Sequence, residues 1–113
     1  MQGVPLAALY VSFVSQTRSY SEVAALLRSA ISQGADDVKT ASAVFDRLRV
    51  LKADSRRGSR EDMQAAFQLA LQETLRRLPR VDPRCLAALA RAAYQLEATV
   101  AEDQQQRIVA TFV

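Results

Sequence analysis

Hydrophobic residues recur along most of the chain at spacings of three and four, which places them on one face of an α-helix. The clearest such segment begins at Asp82 and Pro83, a capping carboxylate followed by a residue suited to the first helical position. Its apolar stripe comprises Leu86, Leu89, Ala93 and Leu96. Alanine fills most positions between them and permits close contact with neighbours on more than one side. The pattern predicts a long helix inside a stack of helices.

The same spacing predicts five more helices, most of them bounded by recognisable capping residues. The first covers the uncharged segment from Leu6 to Val14. The second helix starts at Ser19 with Glu22 and stops at Gly34, and the third starts at Asp36 and Asp37. The fourth starts at Ser59 with Asp62 and runs to about Leu78, and the last starts at a capping box from Thr99 to Glu102. Residues 53–60 form the strongest linker, and residues 79–81 form a tight turn.

Composition favours an all-α fold. Half of the residues are apolar, whereas aromatic residues make up only 6% and glycine and proline occur three times each, so helix formers dominate. A chain of 113 residues predicts a single domain over residues 1–113, large enough for a core without disulfides or metal. About six helices are expected, arranged as stacked antiparallel helix pairs in an α-solenoid-like fold. A small helical bundle is the alternative.

Two segments of the chain resemble each other. Residues 37–67 and 82–112 align without gaps at an offset of 45 residues and share six identities. Both contain a capping aspartate, a long apolar helix, a polar linker and a second helix. A spacing in the forties is typical of two-helix solenoid repeats. These segments are therefore candidate repeat units, and the chain is a candidate section of a longer solenoid.

The segment from Leu86 to Leu96, with the sequence LAALARAAYQL, resembles the alanine- and leucine-rich helix of organellar helical-repeat RNA-binding proteins. That group includes the heptatricopeptide-type repeats that lie beside RAP domains in protist mitochondria and plastids. The resemblance extends more loosely over residues 82–112. It implies binding of organellar RNA, often ribosomal RNA, through stacked helix pairs. The offset of 45 residues is longer than that repeat, and no functional residue is carried over from it.

Basic residues are concentrated in the middle of the chain. The net charge is +3, and residues 47–95 hold eleven basic and five acidic side chains, whereas the flanking segments are slightly acidic. Arginine provides most of this charge and suits bidentate phosphate contacts. The predicted RNA- or phosphate-binding residues are Arg56, Arg57, Arg60, Arg76, Arg77, Arg80 and Arg84. A solvated linker and favourable charge at helix ends are the structural alternatives for these arginines.

The predicted RNA contacts involve mainly phosphate. In stacked helix pairs, the 53–60 linker and the 79–82 turn lie at opposite ends of the helix between them. A basic stripe, or two separate contacts with an extended RNA, is therefore expected rather than one compact basic site. Aromatic residues for base stacking are scarce. Tyr10, Tyr20 and Tyr94 are spread along the chain and are expected to pack as partly buried residues. Any RNA contact is therefore expected to be only weakly sequence-specific.

Catalysis is not predicted. Histidine is absent, and the sequence contains no nucleophile–base pair, glycine-rich phosphate loop or metal-spaced cluster. We therefore expect no enzyme activity, metal, cofactor or small-molecule substrate. The single cysteine, Cys85, excludes an internal disulfide and is predicted to be a small buried residue. The apolar run from Val4 to Val14 is too short to predict a transmembrane segment.

Apolar residues near both ends of the sequence are predicted to bind partners: Leu6, Leu9, Phe13, Ile108 and Phe112. The leading prediction is a non-catalytic structural subunit of a larger assembly, such as a mitochondrial ribosome or another organellar ribonucleoprotein. Its expected partners are ribosomal RNA and neighbouring protein subunits. The alternative is a protein–protein adaptor or a structural subunit of a respiratory-type membrane complex without RNA contact. The expected location is mitochondrial, with the cytoplasm as the alternative.

Exposure separates the two functional predictions. RNA binding through the linker requires Arg56, Arg57 and Arg60 to be exposed. The adaptor requires an exposed apolar face over residues 6–14 or 108–113.

Overall fold

A computed structural model of the protein describes residues 5–34, 37–53, 58–78 and 80–112, with Phe112 described by its backbone alone. These residues form six α-helices and contain no β-strand. The helices are α1 (Leu6–Val14), α2 (Tyr20–Ser32), α3 (Val38–Leu51), α4 (Arg60–Arg76), α5 (Pro83–Leu96) and α6 (Glu102–Phe112). The fold is all-α, as the spacing of apolar residues predicted.

Side-chain caps begin α2, α3, α4 and α5. Ser19, Asp37, Ser59 and Asp82 each accept a hydrogen bond from a backbone N–H two or three residues further on, at 2.7–3.2 Å. These caps confirm the predicted helix starts, because they satisfy donors that have no partner inside the helix. Gly34, with φ of +66°, follows the end of α2 as predicted. Asp36 lies outside the described residues.

The predicted capping box from Thr99 to Glu102 is wrong. Helix α6 begins three residues after Thr99, and the Gln104 side chain accepts a hydrogen bond from the Ala101 N–H at 2.9 Å. Thr99 pairs with α4 instead: its N–H donates to Gln64 Oε1 at 2.9 Å, and its carbonyl accepts from the same amide at 3.0 Å. The linker before α6 therefore docks on α4, and its backbone groups are satisfied there.

Alternate helices pack side by side and form two layers. Helices α1, α3 and α5 make one layer, and α2, α4 and α6 make the other; α3 also packs across the layers against both α2 and α4. The molecule measures 43 × 38 × 21 Å. Its smallest dimension corresponds to about two helix diameters, as expected for two layers.

Hydrogen bonds between helix ends define the helix directions. Lys52, just after α3, donates to the carbonyl of Gln95 near the end of α5, so these two helices run in the same direction. Arg60 begins α4 and donates to the carbonyl of Leu96 at the end of α5, at 3.3 Å. Helix α4 therefore starts where α3 and α5 end and runs the opposite way. This arrangement is compatible with the predicted α-solenoid-like stack of antiparallel helix pairs and with the alternative of a small helical bundle.

The hydrophobic core lies between the two layers. The rings of Phe45 in α3 and Phe67 in α4 are fully buried, with centroids 5.4 Å apart. The predicted stripe of α3 is confirmed, since its members are all buried: Ala41, Val44, Phe45, Leu48 and Leu51. The stripe predicted for α5 is confirmed in part. Leu89 and Leu96 are buried, whereas Leu86 and Ala93 lie half-buried at the edge of the core. The buried face of α5 also includes Cys85, Ala88 and Ala92.

Helices α3 and α5 correspond closely. Each has 14 residues, and their ends lie 45 positions apart in the sequence. Their following helices correspond less well, because α6 begins 42 residues after α4. The repeat units 37–67 and 82–112 stay a prediction.

Candidate functional site

The two layers expose opposite edges at which helices end and connect. We call the edge where α3 and α5 end and α4 begins the first edge, and the edge where α4 ends and α5 begins the second edge. The 17 residues of α4 separate the two edges by about 25 Å. Of the predicted arginines that the structure describes, Arg60 lies at the first edge and the other four lie at the second edge.

Cationic side chains at the first edge contact the end of α5. The guanidinium of Arg60 donates to the carbonyls of Leu96 and Glu97, and the ammonium of Lys52 donates to the carbonyl of Gln95. The last carbonyls of a helix lack partners within the helix and carry partial negative charge. Arg60 and Lys52 therefore satisfy and neutralise the end of α5.

A small cavity of about 90 Å³ lies beside these cations and is lined by Tyr20, Lys52, Gly58, Arg60, Met63 and Leu96. Nearby, Arg47 of α3 makes a similar contact with the α1–α2 connection, where its Nε donates to the carbonyl of Thr17 at 2.9 Å. Arg56 and Arg57 lie outside the described residues. Of the predicted three-arginine phosphate site, the structure therefore locates Arg60 alone, in contact with backbone carbonyls.

The remaining predicted arginines share the second edge. The carboxylate of Glu73 pairs with Arg76 at 2.6 Å and with Arg77 at 2.8 Å, and Arg77 also donates to the Glu73 carbonyl at 3.0 Å. Arg80 and Arg84 are exposed beyond the end of α4. The edge combines a helix-end ion-pair cluster with two exposed cations, an arrangement suited to contact with an extended anionic partner.

One face of α1 is apolar and exposed. We call Leu6, Leu9 and Phe13 the α1 stripe; their exposed fractions are 46%, 36% and 46%. The adjacent Tyr10 is buried, and its hydroxyl forms a 2.7 Å hydrogen bond with Ser29 that joins α1 to α2. Helix α1 is thus held on one side, presents large apolar side chains on the other, and has no charged residue. Contiguous apolar surface of this kind marks interaction sites.

A second apolar surface lies between α5 and α6, at the other end of the stack from α1. This α5–α6 groove has a volume of about 480 Å³ and is lined by Leu89, Ala90, Ala93, Tyr94, Ala98, Val100, Gln105, Ile108 and Val109. Among the described residues that line it, none is charged. Sequence reasoning identified Ile108, which is half-buried in the groove and packs against the core. The side chain of Phe112 lies outside the described residues.

The groove also corrects the prediction for one tyrosine. Tyr10 and Tyr20 are buried, whereas Tyr94 is 86% exposed, so its predicted partial burial is wrong. Tyr94 follows Cys85 by nine residues, or two and a half helical turns, and therefore lies on the opposite side of α5 from the core. That spacing was readable from the sequence once the buried side of α5 was known.

The described residues offer little reactive chemistry. They contain no group of three or more His, Cys, Asp or Glu side chains arranged to hold a metal ion. The predicted burial of Cys85 is confirmed, and this burial raises the pKa of its thiol, against the opposing effect of a hydrogen bond with Thr74. Within the same described ranges, no helix has both the length and the apolar character needed to cross a membrane.

Comparison of the chain with protein-family models, with curated proteins and with solved structures finds no significant match.

Proposed function

We propose that this protein is a non-catalytic, helical-repeat-like structural subunit that binds a neighbouring protein through the α1 stripe. The observation that carries the proposal is the exposure of Leu6, Leu9 and Phe13 on a helix without charged residues. Burying such a surface requires no desolvation of charge. Because these side chains are 36–46% exposed, covering what remains would contribute less than half of the about 1.5–3 kcal/mol gained when such a side chain is buried completely. This favours the adaptor among the two predicted functions.

The first-edge cations support the same choice. Arg60 was the described member of the predicted phosphate-binding linker, and its guanidinium is engaged with the end of α5. To bind a phosphate instead, the Arg60 guanidinium would have to leave those carbonyls. That exchange is unfavourable, because partly buried acceptors are costly to leave without donors.

Site-specific photo-cross-linking tests the proposal. A benzophenone amino acid replaces Leu9 or Phe13 in one set of proteins and Arg91 or Val50, which are also exposed, in the control set. In cells of the source organism, the α1 positions are expected to give one defined cross-linked polypeptide that the control positions do not. That polypeptide, once identified and purified, should bind the Phe13→Glu variant at least about tenfold more weakly than the native chain. Equal cross-linking from all positions, or equal affinity for the variant, contradicts the proposal.

RNA binding is a second candidate, supported by the second edge. Arg80 and Arg84 are exposed there beside Arg76, whose side chain is 61% exposed. These three arginines fit a weakly sequence-specific contact with RNA phosphates. The ribosomal or other ribonucleoprotein assembly predicted from the sequence would combine this edge with the α1 stripe.

Fluorescence anisotropy with a structured RNA tests this candidate. Affinity should fall about tenfold or more between about 50 and 200 mM salt, because several phosphate contacts release counterions. An Arg80→Glu/Arg84→Glu variant should lose both affinity and salt dependence. An Arg18→Glu/Arg91→Glu variant is matched in charge and alters exposed arginines away from the second edge. Equal losses in both variants would indicate an effect of net charge alone.

A further inference from the structure

The α1 stripe and the α5–α6 groove occupy opposite ends of the same helical stack. Within the layer formed by α1, α3 and α5, helix α1 packs on α3 and α3 packs on α5. The α1 stripe lies on the side of α1 turned away from α3, and the groove lies on the side of α5 turned away from α3, as the helical positions of their residues require. The outer faces of a helical stack are normally polar, because they meet water. Here each carries an apolar surface, the α1 stripe at one end and the α5–α6 groove at the other.

The two surfaces differ in the sizes of their side chains. The α1 stripe consists of three large side chains, Leu6, Leu9 and Phe13. The groove is open to solvent and has small side chains at Ala90 and Ala93, beside the exposed side chains of Tyr94 and Val109. Large residues on one helix against small residues on the next allow close packing of ridges into grooves.

The two surfaces are also compatible in charge and in direction. Helix α1 has no charged residue, and no described residue that lines the groove is charged, so their contact would bury no unpaired charge. Helices α1, α3 and α5 belong to one layer, in which α3 and α5 run in parallel. If a second copy continues the layer in the same direction, from α1 through α3 to α5, its α1 lies beside α5 as the next helix of that layer.

From their positions at opposite ends of the stack, their lack of charge and the parallel helices between them, we infer that the partner of the α1 stripe is the α5–α6 groove of a second copy of this chain. The inference rests on the proposed function, since it names the protein that the α1 stripe binds. The contact is heterologous, with different surfaces on the two copies, and it leaves one stripe and one groove open in each dimer. Further copies therefore add head to tail, into a ring if the rotation closes and into a filament if it does not.

Blocking the two surfaces separately tests this inference. Phe13→Glu places a charge in the stripe, and Ala90→Glu places one at an exposed position in the groove. Val50→Glu is the matched control, at an exposed apolar residue of α3 outside both surfaces. Light scattering coupled to gel filtration then measures mass over about a hundredfold range of concentration, since association depends on mass action. Circular dichroism verifies that each variant remains helical, and Leu9→Glu provides a second stripe variant.

The native chain and Val50→Glu are expected to grow with concentration beyond the 12.4 kDa monomer. Phe13→Glu and Ala90→Glu should each stay monomeric, with association at least about tenfold weaker. Mixed together, they should form a 1:1 dimer and nothing larger, because the mixture retains one intact stripe and one intact groove. Dimers of Ala90→Glu alone would reveal a symmetric stripe–stripe contact and overturn the inference.

A native chain that stays monomeric at every concentration also overturns the inference. The proposed function is then tested by the cross-linking experiment alone. A cross-link from Leu9 or Phe13 to a different polypeptide would support an adaptor with another partner. A cross-link between two copies of this chain supports both. Absence of any stripe-specific cross-link contradicts the proposed function itself.

Discussion

Glu97 ends α5 in a backbone conformation that favours glycine. Its φ of 53° and ψ of 39° are left-handed, and the next residue, Ala98, donates its N–H to the carbonyl of Ala93 at 3.1 Å. A side chain with a Cβ atom is strained in this region, whereas glycine is not. The helix end therefore carries a local cost, while the Glu97 carbonyl accepts a hydrogen bond from Arg60.

Replacing Glu97 by glycine should stabilise the protein. We expect the free energy of unfolding to rise by about 0.5–1 kcal/mol, because relief of the left-handed strain exceeds the added entropy of the unfolded chain. Urea denaturation measures the change. Glu97→Ala is the control, since it removes the charge and keeps the Cβ atom. Equal stabilisation by both substitutions would assign the effect to the carboxylate.

Cys85 should make stability depend on pH in the alkaline range. Burial raises its pKa in the folded protein above the ordinary value of 9.0. As the pH rises through that ordinary value, the unfolded chain loses the thiol proton first, so the free energy of unfolding falls, with a slope of at most about 1.4 kcal/mol per pH unit. Below the alkaline range the contribution is fully present.

Denaturation at a series of pH values checks this prediction, with Cys85→Ala as the control. The variant should be less stable at every pH, because it removes buried volume, but its stability should change less as the pH rises through the alkaline range. Parallel curves for the two proteins would contradict the assignment to Cys85.

At the scale of elements, the start of α4 and the end of α5 depend on each other. Arg60 and Lys52 supply donors to carbonyls that α5 cannot pair internally. The Arg60 contacts connect α4 with α5, which belong to different layers, whereas the Lys52 contact joins the ends of α3 and α5 within one layer. The cationic side chains of the first edge therefore stabilise the packing of the helices, in addition to supplying positive charge.

An Arg60→Met substitution should weaken the contact between the start of α4 and the end of α5. It keeps most of the apolar stem and removes the donors, so we expect a loss of about 0.5–1.5 kcal/mol at this partly exposed site. Hydrogen exchange should accelerate in the last turn of α5 more than in α3. Arg91→Met, at an exposed position of α5, is the matched control and should leave both the stability and the exchange pattern unchanged.

At the scale of the whole molecule, the aromatic pair Phe45–Phe67 joins the two layers. Both rings are fully buried, and the pair connects α3 with α4 at the centre of the stack. Because a domain of this size has only about 5–15 kcal/mol of stability, the core at this point controls whether the layers stay together.

Phe67→Ala should cost about 3–5 kcal/mol, through lost burial and the cavity that remains. Phe67→Leu retains most of the apolar volume and should cost distinctly less. Thermal denaturation followed by circular dichroism measures both. A small loss in the alanine variant would show that the layers are held chiefly by other contacts.

Local chemistry explains why much of the fold was predictable. Ser19, Asp37, Ser59 and Asp82 cap helices through backbone donors only two or three residues away, so a short stretch of sequence contains both partners. The predicted cap at Thr99 was wrong because Thr99 pairs with Gln64, which is 35 residues away in the sequence. Local patterns contain no information about such a contact.

The candidate surfaces divide in the same way. The absence of charge from α1 and the concentration of arginine between residues 47 and 95 are properties of the sequence. Whether Arg60 meets a carbonyl or Tyr94 meets water depends on how α5 rotates about its axis against α3 and α4. Several alanine-rich faces of α5 could serve as its buried side, and close packing with the other helices selects one.

The sequence by itself therefore determined the helices, most of their ends and the all-α class, because periodicity and capping act within a few residues. The tertiary structure decided which helix faces are covered. It leaves the α1 stripe and the α5–α6 groove exposed at opposite ends of one stack, because each outer helix has a neighbour on one side only.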